Sequence, residues 1–264
     1  MWQDYEATYR SALRDEEFLA WRELGARKKA QNIADVCREI EATSLIEIGC
    51  GTGAVLRMLH ARQFAQKYCA CDVSVSAVRF TLESCPAFAQ RAVVGRAEAL
   101  PFPDGAFSVA VLSHVIEHLE DPLSALREAA RIARFVVVEV PTEKVFINFV
   151  RTRVLNRPYA SIAEAGHVQY WSPASIARFL TDDAGFEILN RHLDLLREEA
   201  DADTGPAAGA QSAKSLKLAK SANSVKSAKS LFKRTLRSAL PASMYARLLT
   251  THAVFLCRRS NGGL

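Results

Sequence analysis

The ten residues from Ser44 to Gly53, S-L-I-E-I-G-C-G-T-G, constrain the fold of this chain more than any other stretch. Ser44-Leu45-Ile46-Glu47-Ile48 has the length and apolar character of a buried parallel strand. From Ala54 onward Val55, Leu56, Met58 and Leu59 take up helical spacing. Gly49, Gly51 and Gly53 lie in the turn between, where residues without a Cβ let a ligand come close to the main chain. A strand, a glycine turn and a helix in that order open a doubly wound α/β sheet and form a cradle for a nucleotide-like cofactor. The spacing also disfavours one class. A dinucleotide such as NAD calls for G-x-G-x-x-G, whereas this turn runs Glu-x-Gly-x-Gly-x-Gly with no glycine in register after Gly53.

Lys67-Tyr68-Cys69-Ala70-Cys71 reads as a second strand ending in Asp72, nineteen residues after Gly53, and continues through Val73 and Ser74 into a helical run. The carboxyl end of the strand beside the glycine turn overlooks a bound ribose, so Asp72 can accept hydrogen bonds from both ribose hydroxyls. It can equally satisfy free backbone donors at the start of the next helix, and the two roles are compatible. Further on, Val109 to Leu112 reads as a strand leading into His114-Val115-Ile116-Glu117-His118, which matches the H-x-x-E-H zinc pattern. Zinc needs both histidines on one helical face, a third protein ligand and an open position. His114 follows directly on the strand and is expected in the strand-to-helix turn, so no metal is expected. His118 is either a general base, since neutral imidazole takes a hydroxyl proton near pH 7, or a structural histidine packing the loop.

The alternation of strand and helix continues. Leu123 to Ala133 carries helical spacing and leads into a buried strand, Phe135 to Val140, ended by Pro141. Pro173 opens a helix with Ile176, Phe179 and Leu180 on one face, Gly185 closes it, and Phe186 begins a strand. Thr251 to Cys257 supplies a last strand. At 264 residues and 49% hydrophobic the chain can bury a full core without disulfides or metals. Of the six cysteines, Cys50 lies in the glycine turn and Cys69 and Cys71 alternate along a strand. No signal peptide or membrane-spanning run is read, so reduced thiols in the cytoplasm are expected.

The E-x-G-C-G-T-G string resembles motif I of the Rossmann-like, class I S-adenosylmethionine-dependent methyltransferases, and other segments are similar to the small-molecule "type 11" members. Gly95-Arg96-Ala97-Glu98-Ala99-Leu100-Pro101-Phe102 resembles their G-D-A-E-x-L-P-F stretch. Ser113 to Asp121 resembles S-x-V-x-E-H-x-x-D, and Gly166-His167 to Pro173 resembles G-H-x-x-x-[FW]-[ST]-P. The resemblance, from Ile33 to Arg197 plus the last strand, implies seven strands in order 3-2-1-4-5-7-6, the last antiparallel and inserted between the fifth and sixth. It implies S-adenosylmethionine held by Glu47, Gly49, Gly51, Gly53, Asp72 and Val73, with Ala97 and Glu98 beside the adenine and Ser113 and His114 along the methionine part. His118 then points to the acceptor, and His167, otherwise a solvated loop histidine, is a second base. Two departures stand out: Arg96 and Ser108 replace expected acids.

The implied domains are a helical cap at 1–32, a core at 33–199, a basic insertion with an amphipathic segment at 200–250, and the final strand at 251–260. In the cap Trp2, Tyr5, Tyr9, Phe18 and Trp21 serve packing or cover the cofactor; Lys144 to Trp171 is a second, substrate-facing wall. The expected activity is methyl transfer to a small-molecule, saccharide or lipid-linked acceptor, as an O-methyltransferase. The alternatives are a non-catalytic cofactor-binding scaffold, which the lost acids favour, and an RNA methyltransferase, whose usual signatures are absent; nucleic acid is not the expected partner. Charge is uneven: from Thr204 to Leu264 there are eleven Lys or Arg and no acid, against 23 basic and 29 acidic residues before it. Ala207 to Ser230 is dominated by Ala, Ser and Lys and reads as a mobile insertion. Leu231 to Leu249 mixes large apolar residues with cations. It either docks an anionic membrane face or forms a short helical pair covering the domain.

Overall fold

Strand residues at alternate positions point to opposite faces, and in this chain both faces are apolar. In the computed structural model, which describes residues 5–85, 91–142, 166–195 and 250–260, Leu45, Ala70, Val109, Val111, Val137 and Val254 face one layer of helices. Ile46, Ile48, Cys71, Ala110, Leu112, Val136, Val138 and Phe255 face the other. A sheet apolar on both sides must be covered on both sides, which is the condition for a parallel, doubly wound arrangement.

The chain opens with α1 (Tyr5–Ala12) and α2 (Glu16–Val36), followed by β1 (Ser44–Ile48), α3 (Ala54–Ala61), β2 (Lys67–Asp72), α4 (Val75–Ser84), β3 (Ala92–Val94) and β4 (Phe107–Ser113). A tight helical turn, Ile116–His118, precedes α5 (Pro122–Ile132) and β5 (Ala133–Pro141). Then come α6 (Pro173–Arg178), β6 (Phe186–Leu195) and β7 (Thr250–Arg259). The strands lie in the order β3-β2-β1-β4-β5-β7-β6. β1 to β5 pair in parallel, and β7 pairs antiparallel with both β5 and β6. This is the seven-stranded Rossmann-like topology that the resemblance implies.

Two details adjust the expected boundaries. α2 runs without a break to Val36, so one helix spans the expected boundary at 32/33 and joins cap to core. Its buried stripe of Ala26, Ala30, Ile33 and Val36 packs on the sheet side. The helix opened by Pro173 is α-helical only to Arg178 and widens into a π-helical turn at Phe179–Asp183. Ser172 and Ser175 cap each other's backbone at its start, and Ile176 and Leu180 are its fully buried contacts. Of the Lys144 to Trp171 wall only Gly166 to Trp171 falls among the described residues; Trp2, Ala207 to Ser230 and Leu231 to Leu249 lie outside them. No helix among the described residues is long and apolar enough to cross a membrane.

Candidate functional site

The glycine turn leaves β1 with Gly49, Gly51 and Gly53 all at positive φ, between 55° and 75°. Each is closed on by a different neighbour. A Cβ at Gly49 would stand 2.5 Å from Val115, at Gly53 2.6 Å from Thr81 of α4, and at Gly51 2.5 Å from the Tyr9 hydroxyl and 2.9 Å from the Arg22 guanidinium. The turn is closed on by Val115, Thr81 and the ends of Tyr9 and Arg22, and a side chain at Gly51 is strained by its positive φ and makes those two ends shift. Glu47 lies behind it: fully inside, it accepts the Leu56 N–H at 3.0 Å and so anchors the first turn of α3.

Asp72 ends β2 and is 5% exposed. Its Oδ2 accepts the Gly51 N–H at 2.8 Å and its Oδ1 the Ser74 N–H at 2.9 Å. Ser74 is the residue that caps α4, taking the Ala77 N–H. The carboxylate thus braces the glycine turn while each oxygen keeps acceptor capacity for a ligand. Burial raises the Asp72 carboxyl against the opposing pull of those backbone bonds.

At the far side β4 ends in Ser113, whose hydroxyl donates to Glu139 Oε2 at 2.6 Å. His114 follows at φ 58°, in the strand-to-helix turn, with its N–H on the Glu139 carbonyl at 2.9 Å. Burial, then the nearby Lys29 charge, push its imidazole down to about 3. Glu117 and His118 sit in the tight turn beyond, and burial holds His118 below its ordinary value. The Gly166 to Gln169 segment is stitched onto this turn. Val168 and Gln169 both donate their N–H to the Glu117 carbonyl, at 2.8 and 3.0 Å, and His118 Nδ1 lies 3.2 Å from the Gly166 carbonyl oxygen. This brings His167 to His118, with ring centroids 4.7 Å apart and nearly perpendicular.

One cavity of about 1410 Å³ joins these parts. Of the residues expected at the site, Gly49, Asp72, Val73, Ala97, Glu98, Ser113, His114, His118 and His167 line it; Glu47, Gly51 and Gly53 stand behind its wall and shape it. Arg96 also lines it and pairs with Glu98 at 3.3 Å, so the departure at 96 leaves Glu98 as the acid of that loop. The departure at Ser108 is remote. Its hydroxyl donates to the Ser44 carbonyl at 2.6 Å and accepts the Ser44 N–H, a reciprocal lock between the first residues of β1 and β4.

Several lining residues escape a reading of the sequence. Arg22 and Lys29 reach the cavity from α2, and Glu139 and His252 from β5 and β7. The signal for the first pair is present but faint: Arg22, Ala26, Lys29 and Ile33 recur at helical spacing, so two cations share the apolar stripe. Burial lowers the Lys29 amine against the attraction of Glu139. The cap is latched from α1, where Glu6 accepts from both the hydroxyl and the N–H of Ser76 and from the Ser74 hydroxyl. The cysteines take no part in redox pairing: all six are free, and burial pushes Cys69 up to about 11 and Cys71 to about 12.

Three glycines at positive φ in one turn, a buried carboxylate at the end of the adjacent strand and a cavity that reaches both fit a nucleoside cofactor. Residues 10–191 match the family described as "Methyltransferase domain", and the chain belongs to that family, the class I enzymes that use S-adenosylmethionine. The "Uncharacterized methyltransferase YcgJ" of Bacillus subtilis is 30% identical over 119 residues, 40% of this chain and 45% of that protein. Ajmaline N-methyltransferase of Rauvolfia serpentina is 32% identical over 104 residues, 36% of this chain and 34% of that protein. The chain thus spans less than half the length of either relative. In fold it is similar to a chain of the complex between the Haloferax volcanii Trm112 methyltransferase activator and a putative methyltransferase, with a TM-score of 0.58 at 15% identity over 99% of this chain and 100% of that one.

Proposed function

We propose that this chain transfers the methyl group of S-adenosylmethionine to a hydroxyl oxygen of a small-molecule, saccharide or lipid-linked acceptor that enters at His118 and His167. One observation supports the reading: a single cavity is lined by Gly49 and Asp72 and also by His118 and His167, which gives cofactor and acceptor one space to meet in. Asp72 would hold the ribose hydroxyls, the Gly49 backbone would admit the nucleoside closely, and Ala97 and Glu98 would border the adenine. Ser113, His114 and Val73 complete the wall. Bound S-adenosylmethionine supplies a sulfonium methyl group, electrophilic without further activation, and the sulfur leaves as a neutral thioether. The protein's work is then alignment, exclusion of water by the cap, and removal of the acceptor's proton. His118 and His167, stacked edge to face at the acceptor end, are the groups within reach of that proton.

The test is a labelled-methyl screen of cell-extract fractions with mass identification of the product, repeated with His118→Ala and His167→Ala. Turnover is expected to fall about 100-fold or more in at least one variant while cofactor affinity is kept. Wild-type turnover in both variants removes the histidines from the acceptor step; cofactor binding with no transfer to any fraction favours a scaffold.

A further inference from the structure

We propose that Glu117, His118 and His167 form a binding site for one divalent transition-metal ion at the acceptor end of the cavity, an inference that deepens the methyl-transfer reading and rests on it for purpose, though not for coordination chemistry. One carboxylate oxygen and one nitrogen of each imidazole lie within 4.8 Å of one another. An ion with bonds of about 2.1 Å holds adjacent ligand atoms about 3 to 3.4 Å apart, so small side-chain rotations close the set. Two imidazoles and one carboxylate suit the first-row ions from manganese to zinc, and three protein ligands leave positions open for an acceptor.

The second observation is independent of that distance. Glu117 is 0% exposed, and neither of its carboxylate oxygens has a hydrogen-bond partner among the described residues. Oε1 lies 3.1 Å from His114 Nδ1, but without hydrogen-bond geometry. A buried carboxylate left without a donor is costly, and a bound cation offsets that cost. The surroundings are also those of a prepared site. The two ligand-bearing segments are fastened by the Val168 and Gln169 N–H bonds to the Glu117 carbonyl and by Gln169 Nε2 to the Leu119 carbonyl at 3.3 Å. His118 Nδ1 can donate to the Gly166 carbonyl, which fixes the tautomer and leaves Nε2 for the ion, the usual outer support of a ligand histidine.

The expectation of no metal rested on His114, placed in the strand-to-helix turn and so not on one helical face with His118. His114 does lie in that turn, and the cluster proposed here leaves it out, joining His118 to Glu117 and His167. His118 and His167 line the cavity, so the ion's open positions meet the acceptor there. With the ion bound both histidines act as ligands, and the ion takes over the proton-removing role proposed for them in the ion-free protein. The ion's charge then makes an acceptor hydroxyl more acidic, so that its proton can pass to water. The acceptor class this favours carries a hydroxyl with a second oxygen near enough to share the ion.

The test uses chelator-treated full-length protein titrated with Co(II) alone, read by visible absorption, and with Zn(II) in competition. One ion per chain is expected, and Glu117→Gln and His167→Ala should each weaken it about tenfold or more. Circular dichroism and S-adenosylmethionine affinity, measured on the same samples, are expected to stay unchanged. If Glu117→Gln fails to fold, His167→Ala, on a partly exposed loop, carries the comparison. Absence of saturation at one equivalent, or equal affinity in wild type and His167→Ala, overturns the proposal. Ion binding without S-adenosylmethionine binding would instead overturn the methyl-transfer reading and leave the metal site standing.

Discussion

Glu47 sits fully buried behind the glycine turn, and burial, against the pull of Arg22 and Lys29, pushes its carboxyl from 4.5 up to about 8. A carboxyl whose folded value lies above its unfolded one favours the folded state fully below the unfolded value, and that contribution is lost as pH rises through the folded value. The window here runs from about pH 4.5 to 8. Glu47→Gln, neutral throughout and still able to accept the Leu56 N–H, is expected to lose less melting temperature across that window than wild type. Melting curves in a pH series check this, and parallel pH profiles would contradict it. Ser108 belongs at the same scale: its lock with Ser44 lies away from the cavity, so Ser108→Ala should lower stability by about 1 kcal/mol per lost bond and leave cofactor affinity alone. Denaturant unfolding alongside cofactor titration separates the two effects.

The element with most leverage over the site is the cap. α1 is tied to the start of α4 through Glu6, whose carboxyl the Ser76 and Ser74 bonds hold down at about 2, so the latch is ionised at neutral pH. α2 is tied to α3 and the glycine turn through Arg57, which donates to Glu23 at 2.6 Å and to the Thr52 carbonyl at 2.7 Å. Glu6→Ala is expected to release α1 and quicken cofactor dissociation while the sheet stays folded. Stopped-flow dissociation rates and hydrogen exchange at Tyr5–Ala12 test it, and an unchanged rate with unchanged protection would show that the cap does not close the site. The strands and the glycine turn are legible in the sequence because their signals are local: a run of β-branched residues, a glycine every second position, an acid after a strand. Arg22 and Lys29 are not, because a charge on a helix reads as solvated until the packing shows it on the buried stripe. The meeting of Glu117 with His167 is equally hidden, since only the fold brings residues about fifty apart onto one turn. The π-helical turn at Phe179–Asp183 leaves the helical spacing of Ile176 and Leu180 unaltered, so it too gives no sign in the sequence.

At the scale of the whole molecule, β7 completes the described sheet between β5 and β6, and the Ala-, Ser- and Lys-rich sequence from Ala207 to Ser230 offers few large apolar groups to a core. Deleting Ala207 to Ser230 is therefore expected to preserve folding and cofactor binding, with circular dichroism and calorimetry as the check; loss of the fold would show that the basic segment is part of the core. If Leu231 to Leu249 docks an anionic membrane face and does not form a helical pair over the domain, its cations should bind anionic vesicles at low salt, each adding about 1 kcal/mol, and release them at high salt. Sedimentation without salt-sensitive binding would rule out the membrane role. In the proposed site the glycine turn and Asp72 hold S-adenosylmethionine beneath the cap, and everything said of the acceptor depends on that placement. Its most direct test is calorimetric titration of S-adenosylmethionine into wild type, Asp72→Ala and Gly51→Val. Wild type is expected to bind one molecule per chain. Asp72→Ala should bind about 10- to 150-fold more weakly, from lost charge-assisted bonds of about 1.5 to 3 kcal/mol. Gly51→Val, strained at φ 55° and driven against Tyr9 and Arg22, should also bind more weakly. Wild-type affinity in both folded variants would contradict that placement.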